Sequence, residues 1–225
     1  MLRRAARRTV VATAPAARTA ARSVRRSAFL ARVQLAAAAA DATVELDVAD
    51  DVRIGARVRV VFTPWTSNVL SIGAGSLLED DVRIQLKGGS VRIGERTEVR
   101  RSTLMNVAGR LDVADDVILS WGCVLHCSES VSVGPMALIG EYSTLADSSH
   151  YFTHPVETAW HNVRSGPITI GRGCWFGAKT TVGRGSTVGA HCIVAAGSLV
   201  TGDVPDGSLA RGVPAQVSPL TLPWR

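Results

Sequence analysis

The sequence is poor in aromatic residues, which make up 5% of its 225 positions, although apolar residues make up 46%. Aromatic rings carry much of the core of most globular domains. A core built from Val, Ile, Leu and small residues instead indicates many short, similar strands, and the 21 glycines agree with this. The composition therefore predicts an internal repeat.

Acidic residues are absent before Asp41, whereas nine arginines precede it. The net charge of +6 therefore belongs to an N-terminal arm, and removing those nine charges leaves about −3 for the rest. A nucleic-acid-binding face needs basic residues spread over a folded surface together with stacking aromatics. The arm has only Phe29, so we expect no nucleic-acid partner.

Long apolar runs are also missing, so the sequence predicts neither a transmembrane helix nor a secretory signal. The Ala- and Arg-rich arm, residues 1–45, resembles a mitochondrial transit peptide in composition. The alternative, which we favour, is a helix over about residues 17–39 after Pro15. This helix would cover the open end of the body and contact anionic lipid head groups at the inner face of a membrane.

From residue 46 onward an aliphatic residue recurs at every sixth position. Glycine often follows it, and a small or β-branched residue often stands four places later; Gly109 and Glu129 are exceptions. The runs are Val48, Ile54, Val60; Ile72, Leu78, Ile84; Ile93, Val99, Met105, Leu111; Val113, Leu119, Leu125; Val133, Ile139, Leu145; and Ile170, Phe176, Val182, Val188, Val194, Val200.

A six-residue period fits neither a helix nor a simple alternating strand. It fits a chain that runs straight, turns by about 120° and repeats, so that three sides close a coil of 18 residues. Successive coils would stack at about 4.8 Å. About eight coils fit between residues 46 and 205, which leaves residues 206–225 as a C-terminal tail.

The four cysteines predict no disulfide framework, which agrees with a reducing cytoplasm. Cys174 and Cys192 are 18 positions apart and occupy the same small-residue position of successive coils. Cys123 and Cys127 flank His126, but their spacing is not that of a zinc site and no second pair follows. We therefore expect buried small residues and no metal.

The repeat is interrupted once at full length, after His150, and resumes at Ile168. The intervening segment, Tyr151–Gly166, contains His154, Trp160 and His161. A solenoid accommodates an insertion only as an external loop. Such a loop on a rigid scaffold is a common place for a functional site.

These motifs resemble those of the hexapeptide-repeat acyltransferases, especially the maltose, galactoside and polysaccharide O-acetyltransferases. The resemblance rests on the repeat and on three segments: Gly166-Pro-Ile-Thr-Ile-Gly171; Cys174-Trp-Phe-Gly177; and Ala195 to Pro205 followed by Gly212-Val-Pro-Ala215. It implies an all-β fold, a left-handed parallel β-helix over residues 46–205 with one extruded loop at 151–166. It also implies a homotrimer with sites shared between subunits.

The family places its catalytic histidine at the last position of a coil side, at the root of such a loop, and His150 occupies that position. His154, in Thr-His-Pro, is the alternative. We expect Asp147 either to orient His150 or to shape a turn. The predicted acceptor contacts are Asp147, His154, Trp160 and His161. The alternative for Trp160 and His161 is that they only hold the loop on the body.

Histidine suits a general base near neutral pH. The expected reaction is direct transfer in a ternary complex, in which the base takes the proton of an acceptor hydroxyl and the alkoxide attacks a thioester. No cysteine lies in the loop, which argues against a thiol nucleophile.

The family binds CoA mostly through backbone groups of its last coils. Matching its motifs residue by residue implies a contact set of Trp175, Gly177, Ala178, Ala196, Thr201, Gly202 and Gln216. The family usually has Lys or Arg where this chain has Gly202 and Gln216. Weaker binding of the CoA phosphates is therefore expected, unless another cation takes over: Arg172, Lys179, Arg184 or Arg211.

The sequence thus predicts an acetyl-CoA-dependent O-acetyltransferase acting on a hydroxyl of a sugar or polysaccharide precursor. Three alternatives remain: N-acetylation of an amino sugar, a non-catalytic β-helix scaffold, and a zinc carbonic anhydrase on the same fold. The last would need three converging histidines, whereas His126, His150 and His191 are scattered among coil positions.

Overall fold

The computed structural model describes residues 24–152 and 162–221 of the chain. A helix, α1, covers residues 24–39 and buries Phe29, Val33 and Ala37 at intervals of four, the spacing of one helix face. These side chains join the core cluster of the body. Arg26 donates hydrogen bonds to the carbonyl oxygens of Val48 and Ala49. The helix therefore packs on the N-terminal end of the body.

The strands are short because each forms one side of a coil. The first thirteen are β1 (Thr43–Val48), β2 (Arg53–Ile54), β3 (Arg59–Phe62), β4 (Ser67–Ile72), β5 (Leu77–Leu78), β6 (Arg83–Leu86), β7 (Ser90–Ile93), β8 (Glu98–Val99), β9 (Leu104–Val107), β10 (Arg110–Val113), β11 (Ile118–Leu119), β12 (Val124–Cys127) and β13 (Ser130–Val133). The others are β14 (Leu138–Ile139), β15 (Thr144–Ala146), β16 (Ser148–His150), β17 (Val163–Ser165), β18 (Ile168–Ile170), β19 (Trp175–Phe176), β20 (Thr181–Gly183), β21 (Thr187–Val188), β22 (Ile193–Val194), β23 (Leu199–Val200), β24 (Ser208–Arg211) and β25 (Gln216–Pro219).

Within the described residues these strands form three long sheets and one hairpin. Sheet A has the order β1-β4-β7-β10-β13-β18-β21, sheet B the order β2-β5-β8-β11-β14-β19-β22-β24-β25, and sheet C the order β3-β6-β9-β12-β15-β20-β23. Strands from successive coils pair in parallel, as in the β10–β13 ladder. The inward residues of one coil, Leu111, Leu119 and Leu125, are completely buried. The predicted all-β parallel β-helix is therefore confirmed.

The coils are not all of the predicted length. Ile170 pairs with Val188, eighteen positions later, but Val113 pairs with Val133, twenty positions later. The first coil is longer still, since Val48 pairs with Ile72. The extra residues lie at the corner between sheets C and A, where Gly109 and Glu129 stand. This corner explains why both residues depart from the six-residue pattern.

The C-terminal end is closed by a strand that turns back. β24 pairs in parallel with β22, which places Leu209 beside Ile193, and β25 then pairs antiparallel with β24. The predicted tail, residues 206–225, therefore contains the last rung of sheet B. Both ends of the β-helix are covered, by α1 at one end and by β25 at the other.

Candidate active site

The site predicted around His150 lies where the chain leaves the β-helix. After β15, strand β16 turns outward and pairs antiparallel with β17, so that His150 is opposite Val163. His150 is exposed and lies at the last position of β16. The hairpin therefore carries His150 outside sheet C, just after the point where the chain leaves that sheet.

Asp147 stabilises the corner at which the chain leaves the β-helix after β15. Its side chain is fully buried, and its two carboxylate oxygens accept hydrogen bonds from the backbone amides of Ser128 and Glu129, each at 2.7 Å. One coil earlier, the corresponding amides of Ala108 and Gly109 both donate to the carbonyl oxygen of Cys127. The carboxylate therefore takes the place of a backbone carbonyl that the departing chain no longer supplies.

This arrangement supports the turn-shaping role for Asp147. A fully buried side chain that uses both oxygens on the preceding coil cannot contact an acceptor at the surface. Asp147 therefore leaves the set of predicted acceptor contacts. The other members of that set, His154, Trp160 and His161, lie outside the described residues.

Side chains on the two faces of the hairpin contact different coils. On one face, Ser148 Oγ lies 2.9 Å from Ser128 Oγ of the preceding coil. On the other face, Arg184 of the following coil donates from Nε to Ser149 Oγ at 3.0 Å. Since successive side chains of a strand alternate, His150 belongs to the face of Ser148.

A groove of about 440 Å³ lies beside the hairpin. Ala146 and Gly183 border it on sheet C, Ser149 and Arg184 on the hairpin side, and Thr201 at its C-terminal end. Thr201 also lines a second cavity of about 150 Å³, together with Gly202 and Ala215. Thr201, part of the predicted CoA contact set, therefore shares a groove with the hairpin that carries His150.

The predicted CoA contacts fall into two groups. Ala178 and Ala196 stack at the corner between sheets B and C, where the amide of Gly197 donates to the carbonyl of Ala178. A Cβ added at Gly177 would lie 2.5 Å from the backbone nitrogen of Ala196, so a glycine is needed there. Thr201 and Gly202 follow the last strand of sheet C, whereas Gln216 begins β25 of sheet B.

Trp175 lies apart from both groups, on sheet B, where its side chain is 54% exposed. It continues an outward row with Leu138 and Ile193 on the neighbouring strands.

The sequence analysis did not identify Ser149 and Gly183 as groove residues. Gly183 could have been identified from the sequence, because the six-residue register places it directly beside Ala146.

The cysteines are unsuited to nucleophilic catalysis. Cys123 and Cys127 are buried, and burial raises the pKa of both thiols to about 12. For Cys127 the neighbouring carboxylate of Asp147 raises the pKa further. Burial also raises the pKa of Cys174, to about 11. These groups stay protonated near neutral pH, and the thiolate is the reactive form.

Among the residues that the structure describes, no group of three His, Cys, Asp or Glu side chains could hold a metal ion. In the same part of the chain, no helix has the length and apolar character needed to cross a bilayer.

Comparison with known proteins agrees with this architecture. Residues 167–202 match the family described as "Bacterial transferase hexapeptide (six repeats)". A relative described as a probable acetyltransferase of Mycobacterium tuberculosis (strain H37Rv) is 29% identical over 133 residues, which cover 58% of this chain. Those residues span 42% of the relative, so the chain matches about two-fifths of that protein's length.

Two solved structures share the fold. The polysialic acid O-acetyltransferase OatWY superposes with a TM-score of 0.65 at 13% identity, covering 82% of this chain and 90% of that one. The N-acyltransferase AntD from Bacillus cereus, in complex with dTDP-4-amino-4,6-dideoxyglucose and coenzyme A, gives a TM-score of 0.53 at 14% identity. The superposition covers 83% of this chain and 87% of the AntD chain.

The architecture is thus a left-handed parallel β-helix of hexapeptide repeats with one extruded loop. The chain is therefore similar in sequence and in fold to hexapeptide-repeat transferases of bacteria.

Proposed function

We propose that the chain is an acetyl-CoA-dependent O-acetyltransferase that modifies a hydroxyl of a sugar or polysaccharide precursor. The observation that carries the proposal is the position of His150. His150 is exposed at the end of a strand whose Ser148 and Ser149 line a groove of about 440 Å³, and that groove reaches Thr201 of the expected donor site. The description of the mycobacterial relative as a probable acetyltransferase supports the same class.

In the proposed reaction the neutral imidazole of His150 accepts the proton of the acceptor hydroxyl. The resulting alkoxide oxygen bonds to the thioester carbonyl carbon, and the carbon–sulfur bond then breaks. CoA leaves as a thiolate and takes up the proton that His150 received. A base positioned in this way typically contributes about 10²- to 10⁴-fold to the rate.

The donor would lie toward the C-terminal coils. Thr201 and Gly202 line the cavity after sheet C together with Ala215 and Val217, the neighbours of Gln216, and Ala178 and Ala196 form a corner between sheets B and C. For the CoA phosphates we propose four cations instead of the family's usual pair: Arg172, Lys179, Arg184 and Arg211. Of these, Arg184 already faces the groove through its bond to Ser149.

Two parts of the proposal concern the assembly and its location. We propose a homotrimer, because the flat faces of the β-helix are exposed and carry apolar residues such as Leu138 and Trp175. A shared groove between subunits would then bring a second chain to each site. We further propose that the molecule works in the cytoplasm, with the basic arm touching the inner face of a membrane.

The first test is the thermal midpoint of the purified protein with millimolar acetyl-CoA. A ligand that binds the native state alone raises that midpoint. If no CoA ester raises it, the proposal fails and the scaffold alternative takes its place.

The second test is the release of CoA by His150→Ala with a panel of sugar acceptors. We expect turnover to fall about 10²- to 10⁴-fold while the thermal midpoint stays unchanged. The matched control is His191→Asn, which removes an exposed imidazole at a distant corner. Asn is chosen because His191 has a φ of 58°, which Asn tolerates better than Ala. Unchanged turnover in His150→Ala would assign the base to His154.

A further inference from the structure

A single outward row of side chains runs along sheet C toward the groove. Its β3 member is Val61, beside Gln85, and from β6 onward it consists of Gln85, Asn106, His126, Ala146 and Gly183, which are direct neighbours in successive parallel strands. Each of these members from Gln85 to Gly183 is half-buried, and all but Gly183, which ends its strand, lie between two inward, buried residues. We call this set the sheet-C row. Its members repeat at the strand spacing of about 4.8 Å, which is close to the length of one sugar unit in a glycan chain.

The first three members of the row are hydrogen-bonding groups. The Nδ2 atom of Asn106 lies 3.2 Å from Nδ1 of His126. When this amide donates, the neutral ring carries its proton on Nε2. Asn106 Oδ1 then remains as an acceptor and His126 Nε2 as a donor, which suits a sugar hydroxyl because a hydroxyl both donates and accepts. Gln85 adds a second amide one strand earlier.

The last two members are small, and the fold does not require them to be. A Cβ added at Gly183 would meet nothing nearer than the carbonyl oxygen of Val200 at 3.5 Å, an ordinary contact. Gly183 is also not among the residues with positive φ. Ala146 and Gly183 both line the groove. Their small size therefore leaves space in the row at the point where it passes the hairpin.

The parallel row beside it supplies apolar surface. Leu104 and Val124 are half-buried outward neighbours on β9 and β12. The polar row therefore matches the hydroxyl groups of a pyranose ring, and the aliphatic row matches its C–H face.

The neighbouring row, which continues with Leu104 and Val124, carries positive charge at its start, two positions from Gln85 along β6. Arg59 and Arg83 are neighbours in β3 and β6, and Lys87 follows β6; all three side chains are exposed. In the described part of the chain none of them forms an ion pair, in contrast to Arg57, which pairs with Asp81. An anionic ligand would find unpaired cations at this end.

From these observations we propose that the sheet-C row is a binding site for an extended acidic glycan. Successive sugar units would lie on Gln85, Asn106 and His126, and the unit to be modified would occupy the space over Ala146 and Gly183. The proposal rests on the proposed function and narrows its acceptor. It makes the acceptor a chain of several units rather than a single sugar.

The test is calorimetric titration of the full-length protein with oligogalacturonides of one to six units, with maltooligosaccharides of equal length as the neutral comparison. We expect affinity for the acidic series to rise over the first three or four units. Asn106→Ala, and separately Gln85→Ala, should weaken binding of the long members about five- to tenfold, as expected for one lost hydrogen bond. Binding of the single unit should not change.

The control is Ser132→Ala, which removes an exposed hydroxyl from β13 in sheet A and should leave all affinities unchanged. The proposal is overturned by a flat dependence on length, by a gain confined to the neutral series, or by a gain that survives both row variants. Acetyl-CoA stabilisation is measured on the same samples. A shift with acetyl-CoA but no glycan binding refutes the row alone, whereas length-dependent glycan binding without that shift refutes the transferase and leaves the row standing.

Discussion

Replacing Asp147 by alanine should destabilise the coil that carries the hairpin. The two oxygens of Asp147 satisfy the amides of Ser128 and Glu129, and the side chain is fully buried. In Asp147→Ala both amides lose their acceptor at a site from which bulk water is largely excluded. A hydrogen bond to a charged group contributes about 1.5–3 kcal/mol. We therefore expect a loss of about 3–5 kcal/mol in the free energy of unfolding.

The matched control is Asp115→Ala. Asp115 also accepts a backbone hydrogen bond at a corner, from the amide of Glu95 at 2.8 Å, but it is exposed, and among the described residues it accepts only this one. Water can replace that acceptor, so the expected loss is about 0.5–1 kcal/mol. Urea denaturation measures both variants against the original protein.

Amide hydrogen exchange locates the effect. In a solenoid each coil is stabilised mainly by its neighbours, so the loss should be local. The amides of Ser128 and Glu129 should exchange faster in Asp147→Ala, and those of the first coils should not. If Asp147→Ala costs no more than Asp115→Ala, the carboxylate does not replace a backbone carbonyl and the reasoning is wrong.

Two further predictions follow from close packing and from buried thiols. Gly109→Ala should prevent folding, because the added Cβ would lie 2.1 Å from the carbonyl oxygen of Glu129. The control is Gly202→Ala, which should change the urea midpoint little, because no atom lies within 4 Å of the added Cβ. The native protein should react with Ellman's reagent at pH 8 hardly at all, whereas unfolded protein should show four thiols. Since burial raises the pKa of Cys123 and Cys127 from 9.0 to about 12, the unfolded state loses these protons first. Stability should therefore fall as pH rises between those values, and a flat urea midpoint from pH 9 to 11 would contradict this.

The sides of the coils were predictable, but their corners were not. Apolar residues such as Leu119 and Val194 appear every sixth position because each side needs an inward residue, and both are fully buried. The corner between sheets C and A is held by backbone bonds, as from Ala108 to Cys127, and it admits extra residues. Backbone bonds leave little trace in side-chain identity, so an 18-residue coil was expected throughout.

The site was predictable in position and only partly in chemistry. The interruption after His150 marked the place where the chain leaves the β-helix, and the structure puts an exposed histidine there. The role of Asp147 could not be decided from the sequence, because orienting a base and closing a turn call for the same residue type. The pairing of Asn106 with His126 also went unnoticed. It depends on a twenty-residue register that the regular repeat does not give.

The two covered ends affect whether copies of the protein can associate end to end. A parallel β-helix has unpaired strand edges at each end, and such edges can join copies of a protein end to end into fibrils. Here α1 buries Phe29, Val33 and Ala37 over one end, while Arg26 occupies carbonyl oxygens that another strand would otherwise bind. At the other end β25 runs antiparallel to the stack. These two segments act as terminators, and they keep a repeat that could continue indefinitely as a particle of defined size.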